Sequence, residues 1–107
     1  MNKKESNKII KQQLNYCEQL LCTKSKEYSL EEDRLSTFKT GANLQGLTQK
    51  QCLMGMATKH FVSIADMIKS KKYFDLDKWT EKITDSINYL LLLKVIVEEE
   101  NNEQNTN

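Results

Sequence analysis

No proline interrupts this chain, and only three of its 107 residues are glycine. Proline removes a backbone donor and clashes with the preceding turn, so its absence lets helices run unbroken. Apolar residues recur at helical spacing along most of the chain, with no strand-like alternation and no internal repeat. The sequence therefore predicts an all-α fold, a four-helix bundle. One helical domain covers residues 1–98, and 99–107 form a polar, frayed tail. A chain of this length can bury one modest core.

Four helices can be placed. Ile10, Leu14, Cys17 and Leu21 recur at i, i+4, i+7 and i+11, with Ile9 and Leu20 widening the stripe, which predicts an amphipathic helix over about 3–27. Ser29 to Glu32 has the form of a capping box, so a second helix should begin at Leu30 and carry Leu35, Phe38 and Ala42 inward. It should stop near Gly46, with Gly41 as a weak point. Thr48 to Gln51 is another capping box. It opens a helix in which Leu53, Met56, Ala57, His60, Phe61, Ile64, Met67 and Ile68 share one broad face. Residues 70–75 break the period and read as a loop held down by Tyr73 and Phe74. Asp75 or Asp77 can then cap a fourth helix reaching about Val97.

Composition narrows the function classes. Apolar residues are 38% and charged residues 29%, which suits a globular protein. A net charge of +1 removes the simplest argument for nonspecific nucleic-acid binding. A helix-turn-helix reading around Gly46-Leu47-Thr48 has only Lys50 and Lys59 to offer phosphates. Cys17, Cys22 and Cys52 are odd in number and lack paired metal-ligand spacing, so reduced thiols are expected. The polar N-terminus lacks a secretory pattern, and the longest apolar run, Tyr89 to Leu93, is too short to span a bilayer. The expectation is a cytoplasmic protein without membrane contact.

The last helix raises the functional question. Glu81, Asp85 and Asn88 fall on one narrow line of it, between an apolar face of Ile83, Ile87 and Leu90 and another of Tyr89, Leu92 and Ile96. A helix apolar on two sides is buried or sits in an oligomer. Buried carboxylates need partners, and Lys59 or Arg34 can supply them across a groove. Lys59, Ser63 and Asp66 form a comparable line on the preceding helix. Such pairs commonly fix helix register and do nothing more. They also suit a divalent cation carrying phosphates, because Mg²⁺ takes few protein oxygens and keeps its waters. Leu91, Leu92, Leu93, Val95 and Ile96 exceed what one face can bury, so a homo-oligomer is expected.

The pattern E-Y-x₄-D-R-L-x₂-F (Glu27 to Phe38), the pair Lys59-His60, S-x₂-D (Ser63 to Asp66) and K-I-T-D-S-I-N-Y-L (Lys82 to Leu90) resemble a group of small phage and prophage proteins. These are the nucleotide-modification-associated proteins, similar in turn to MazG-type all-α nucleotide pyrophosphatases. The likeness runs from about Leu20 to Glu98. It implies a phage protein in the host cytoplasm that binds a nucleotide, with Mg²⁺ as the implied cofactor. If catalytic, the reaction is metal-assisted attack of water on a phosphoanhydride. On this resemblance Arg34 and Lys59 meet phosphate, while Asp66, Glu81 and Asp85 orient the metal. Asn88 and His60 hydrogen-bond the ligand, and Phe38 or Tyr89 stacks on a base. The sequence departs from the family's acidic pattern: Arg34 and Leu35 follow Glu31-Glu32 where a further acid is wanted, and Glu81 and Asp85 are spaced by four. That departure shifts weight from hydrolysis towards binding. The alternative is a non-enzymatic counter-defence protein that sequesters a cyclic nucleotide signal or blocks a host defence protein.

Overall fold

The computed structural model describes residues 1–24 and 33–105. Four helices pack together: α1 (Lys3–Glu18), α2 (Ser36–Gln45), α3 (Gln49–Lys69) and α4 (Leu76–Asn105). A π-helical segment, Gln19–Lys24, continues α1. The fold class is all-helical and compatible with a bundle. Among the described residues no helix is long and apolar enough to cross a membrane.

The helix starts follow from side chains that accept the first free backbone donors. Asn2 accepts from the Glu5 amide at 2.8 Å while Glu5 reaches back to Asn2. The Thr48–Gln51 box forms as the sequence predicts, with both reciprocal bonds near 3 Å. Asp75, not Asp77, caps α4, its Oδ1 accepting from Lys78 N at 2.9 Å. The second helix differs from expectation. Residues 33–35 form a turn, and α2 begins at Ser36. The predicted box at Ser29–Glu32 lies outside the described residues. Asp33 organises this start instead: its carboxylate accepts from Leu35 N at 2.9 Å and from Lys39 Nζ at 2.6 Å. Gly46 ends α2 in the left-handed region at φ 66° without a Cβ penalty, and the Ala42 carbonyl accepts from both Gly46 N and Leu47 N.

The core lies between α2, α3 and α4. Leu35, Phe38, Leu53, Ala57 and Ile96 are buried together, with Met56, Phe61, Tyr89, Leu92 and Leu93 packed against them. Truncating any of the large members to Ala removes about 2–5 kcal/mol. α2 runs through Gly41 without ending there. The glycine lets the helix approach α3 until the space for a Cβ is taken by Cys52 Sγ. Lys50 pairs with Glu100 and His60 lies by Asp85, so α3 and α4 run antiparallel.

Three further expectations are corrected. First, α4 extends to Asn105, not Val97. Residues 99–105 are therefore helix, not frayed tail, and Glu99 and Glu100 pair with Lys39 at 3.3 Å and Lys50 at 3.1 Å. Second, α1 does not bury its stripe. Only Cys17 is buried, while Ile9, Ile10 and Leu14 are each more than half exposed. This helix meets α4 through a polar contact, Gln13 Nε2 donating to the buried Thr84 Oγ1 at 2.7 Å. Third, Ile68 and Tyr73 are exposed. Phe74 alone of the loop aromatics packs, edge-on to Trp79 with ring centres 6.2 Å apart.

Candidate functional site

The Glu81–Asp85–Asn88 line runs down a gradient of burial. Glu81 is exposed, Asp85 half-buried and Asn88 buried. The line lies between the face of α4 that meets the core and the face that meets α1, and this placement explains why one helix can carry three polar groups among apolar neighbours. Asn88 Oδ1 is buried and has no hydrogen-bond partner among the described residues. Most buried polar atoms are paired, so an orphan acceptor marks a place where the interior is not optimised for stability alone.

Glu81 and Asp85 open onto a cleft of about 200 Å³. Thr80 and Thr84 complete its α4 wall, and Tyr16, Gln19 and Leu20 form the wall opposite. The π-helical segment contributes two of these residues, Gln19 and Leu20. Its wider turn changes the register in which α1 presents side chains to α4, and π-bulges occur often at functional sites. Among the described residues no basic side chain lines the cleft. Two carboxylates without a neighbouring cation attract positive charge and repel bare phosphate.

Asp85 also reaches away from the cleft towards α3. Its Oδ2 is 3.7 Å from His60 Nδ1, within ion-pair range and beyond a hydrogen bond. The His60 ring is tilted on Tyr89 with centroids 5.0 Å apart. His60, Asp85 and Tyr89 are therefore neighbours, and histidine stands beside the acidic line where Lys59 or Arg34 was expected.

The other expected residues lie elsewhere. Arg34 donates from Nη1 to the Leu21 carbonyl at 2.8 Å, closing the end of the π-helical segment, so its fork does not face the acidic line. Lys59 is exposed on α3, and among the described residues it pairs with neither Asp85 nor Glu81. Phe38 is 5% exposed within the core and has no free face for a base. Asp66 is exposed on α3. Among the described residues no three His, Cys, Asp or Glu side chains gather as a metal-ligand set, so Asp66 does not join Glu81 and Asp85 in one. Sequence reasoning missed Tyr16, Gln19, Leu20, Thr80 and Thr84. The hydroxyls of Thr80 and Thr84, spaced by four beside Glu81 and Asp85, were a signal for the α4 wall. The π-helical register left none.

The lysine at the start of α3 bears on duplex binding. Lys50 is engaged by Glu100 at 3.1 Å, which reduces what the first turn of that helix offers a phosphate. No family model matches the chain, and no curated protein or solved structure is similar to it.

Proposed function

We propose that the protein binds a nucleotide through its phosphate-bound Mg²⁺ at the cleft between α1 and α4. The observation that carries this reading is the pair of carboxylates, Glu81 and Asp85, on a cleft that no basic side chain lines among the described residues. Such a wall accepts phosphates only when a cation accompanies them. One or two carboxylates plus waters and phosphate oxygens are the donor set Mg²⁺ prefers. When bound, the cation supplies the positive charge that the cleft lacks. Glu81 and Asp85 hold and orient it, Thr80 and Thr84 offer hydroxyls beside it, and the Tyr16 ring opposite is a platform on which any base can stack. Asp85 is further restrained from the α3 side by His60.

Calorimetric titration tests the reading. ATP with Mg²⁺ should bind, ATP with excess chelator should not, and Asp85→Asn should weaken binding at least tenfold with helix content unchanged. Binding of ATP that survives the chelator and the substitution would refute the carboxylate assignment. Sampling the same mixture for released phosphate and pyrophosphate separates binding from hydrolysis.

A second reading, a counter-defence protein acting by direct contact with a host protein, is favoured by the exposed apolar face of α1 at Ile9, Ile10 and Leu14. Capture of a specific host protein, lost in Ile10→Lys and kept in Asp85→Asn, would support it over the cleft. Self-association belongs with either reading, because the single chain leaves large apolar side chains exposed on α1 and α4.

A further inference from the structure

Four exposed apolar residues of α4 stand one heptad apart. Leu76, Ile83, Leu90 and Val97 are 76%, 37%, 51% and 43% exposed. Ile87, half-buried, and Lys94 fall at the alternate three- and four-residue steps between them. In heptad terms the four are d positions, and Thr80, Ile87 and Lys94 are a positions. The residues that α4 turns to its own core, Tyr89, Leu92 and Ile96, lie on a different face. The helix thus carries two apolar surfaces, and only one is used within the chain. The apolar repeat of seven residues at these d positions, with Ile87 the one apolar residue at the a positions, keeps a narrow seam on one side of the helix.

The size of the exposed surface says how much a partner must cover. A compact monomer of 12.5 kDa exposes about 6,200 Å². This chain exposes 8497 Å². The excess, roughly 2,300 Å² per chain, is well above the ~800 Å² per partner of a standard interface. The radius of gyration points the same way, 16.4 Å against about 13 Å for a compact domain of this length. A net charge of +1 gives two copies little long-range repulsion to overcome.

We infer that α4 pairs with α4 of a second copy along the Leu76–Ile83–Leu90–Val97 seam, antiparallel, with the two-fold axis midway between Ile83 and Leu90. A seam of this kind is self-complementary, as a two-fold dimer requires. Lys94 sets the direction. Its side chain is exposed and reaches only Glu98 on its own helix, at 3.8 Å. A parallel pair would stack Lys94 on Lys94 of the partner subunit in an apolar layer. The antiparallel pair separates them and brings Leu76 opposite Val97 of the partner subunit and Ile83 opposite Leu90 of the partner subunit. This inference specifies the self-association proposed above and is independent of what the cleft binds.

Sedimentation equilibrium on the full chain tests it, with helix content followed by circular dichroism. The wild type should be a dimer at tens of micromolar. Leu90→Lys should weaken dimerisation at least tenfold, whereas Ile10→Lys on the α1 face should leave it intact. A wild type that stays monomeric overturns self-association and seam together. A dimer that survives Leu90→Lys and falls apart in Ile10→Lys overturns the seam alone. Should Leu90→Lys fail to fold, disulfide trapping decides in a Cys22→Ser background. The pair Leu76→Cys with Val97→Cys should cross-link two chains and Val97→Cys alone should not. The reverse result contradicts the antiparallel seam.

Discussion

Gly41→Ala probes the closest approach in the fold. A Cβ added at Gly41 would sit 2.7 Å from Cys52 Sγ and an ordinary 3.8 Å from Met56 Cε. Carbon atoms in contact settle at about 3.5–4.0 Å, so the first of these distances is an overlap of roughly 1 Å. Cys52 is 3% exposed, with a short side chain and neighbours on every side, so it cannot swing into solvent. Nor can α2 back away cheaply, because Leu35 and Phe38 hold it against Leu53. Overpacking of this kind costs about 1–3 kcal/mol. Replacing glycine by alanine within a helix returns about 1 kcal/mol. The net expectation is a loss of about 1 kcal/mol. The decisive quantity is the coupling with Cys52→Ala. With the sulfur gone, Gly41→Ala should become neutral or stabilising by up to about 1 kcal/mol, a coupling of about 1–3 kcal/mol in a double-mutant cycle. Urea unfolding of the four proteins reads all the terms. Additive effects, or a Gly41→Ala that stabilises the wild type outright, would refute close approach as the reason for glycine here.

Other perturbations follow from contacts described above. Thr84→Val keeps the shape but removes the acceptor of Gln13 Nε2, so unfolding should reveal a loss of about 1 kcal/mol, and an unchanged stability would show the contact to be idle. The hydrogen bond from Lys39 holds Asp33 below the ordinary aspartate range, and the same bond raises Lys39. A lowered carboxylate contributes above its unfolded pKa and loses that contribution as pH falls through its folded value. A raised lysine contributes below its unfolded pKa and loses it as pH rises through its folded value. The stability difference between wild type and Lys39→Met should thus be flat near neutrality and shrink at both acid and alkaline extremes, and salt should diminish it because both groups are exposed. Truncation after Glu98 deletes Glu99 and Glu100 and with them both cross-helix pairs of the α4 end, so the melting temperature should fall by a few degrees at low salt and less at high salt.

The helices were legible where local chemistry decides them. Thr48 with Gln51, Asp75 before α4 and Gly46 after α2 each satisfy backbone groups within one turn, and short-range needs of this kind are written in short-range sequence. Leu35, Phe38 and Ala42 were correctly turned inward for a similar reason, since α2 has one apolar face and one place to put it. The fate of α1 was not legible. Its stripe is as regular as that of α3, yet periodicity states only that a face is apolar, not that this chain has a surface to cover it. The α4 line was half legible. Spacing placed Glu81, Asp85 and Asn88 together, but which side chain of α3 comes beside Asp85 depended on the rotation of that helix, which presents His60 and leaves Lys59 in solvent. Arg34 was misplaced because its partner is a carbonyl, Leu21 O, and backbone acceptors have no signature in composition. Glu99 and Glu100 read as tail because they are charged, whereas each answers a lysine more than forty positions away.

The most direct test of the nucleotide-binding account locates the ligand. Mg²⁺ with ATP would be titrated into isotope-labelled protein and followed by backbone amide NMR, with Mg²⁺ alone as the reference. Concentration-dependent shifts gathered at Tyr16, Gln19, Leu20, Thr80, Thr84 and Asp85, and absent in Asp85→Asn, are the predicted result. No shifts at millimolar ligand, or shifts gathered around Lys50 and Lys59 instead, would contradict it.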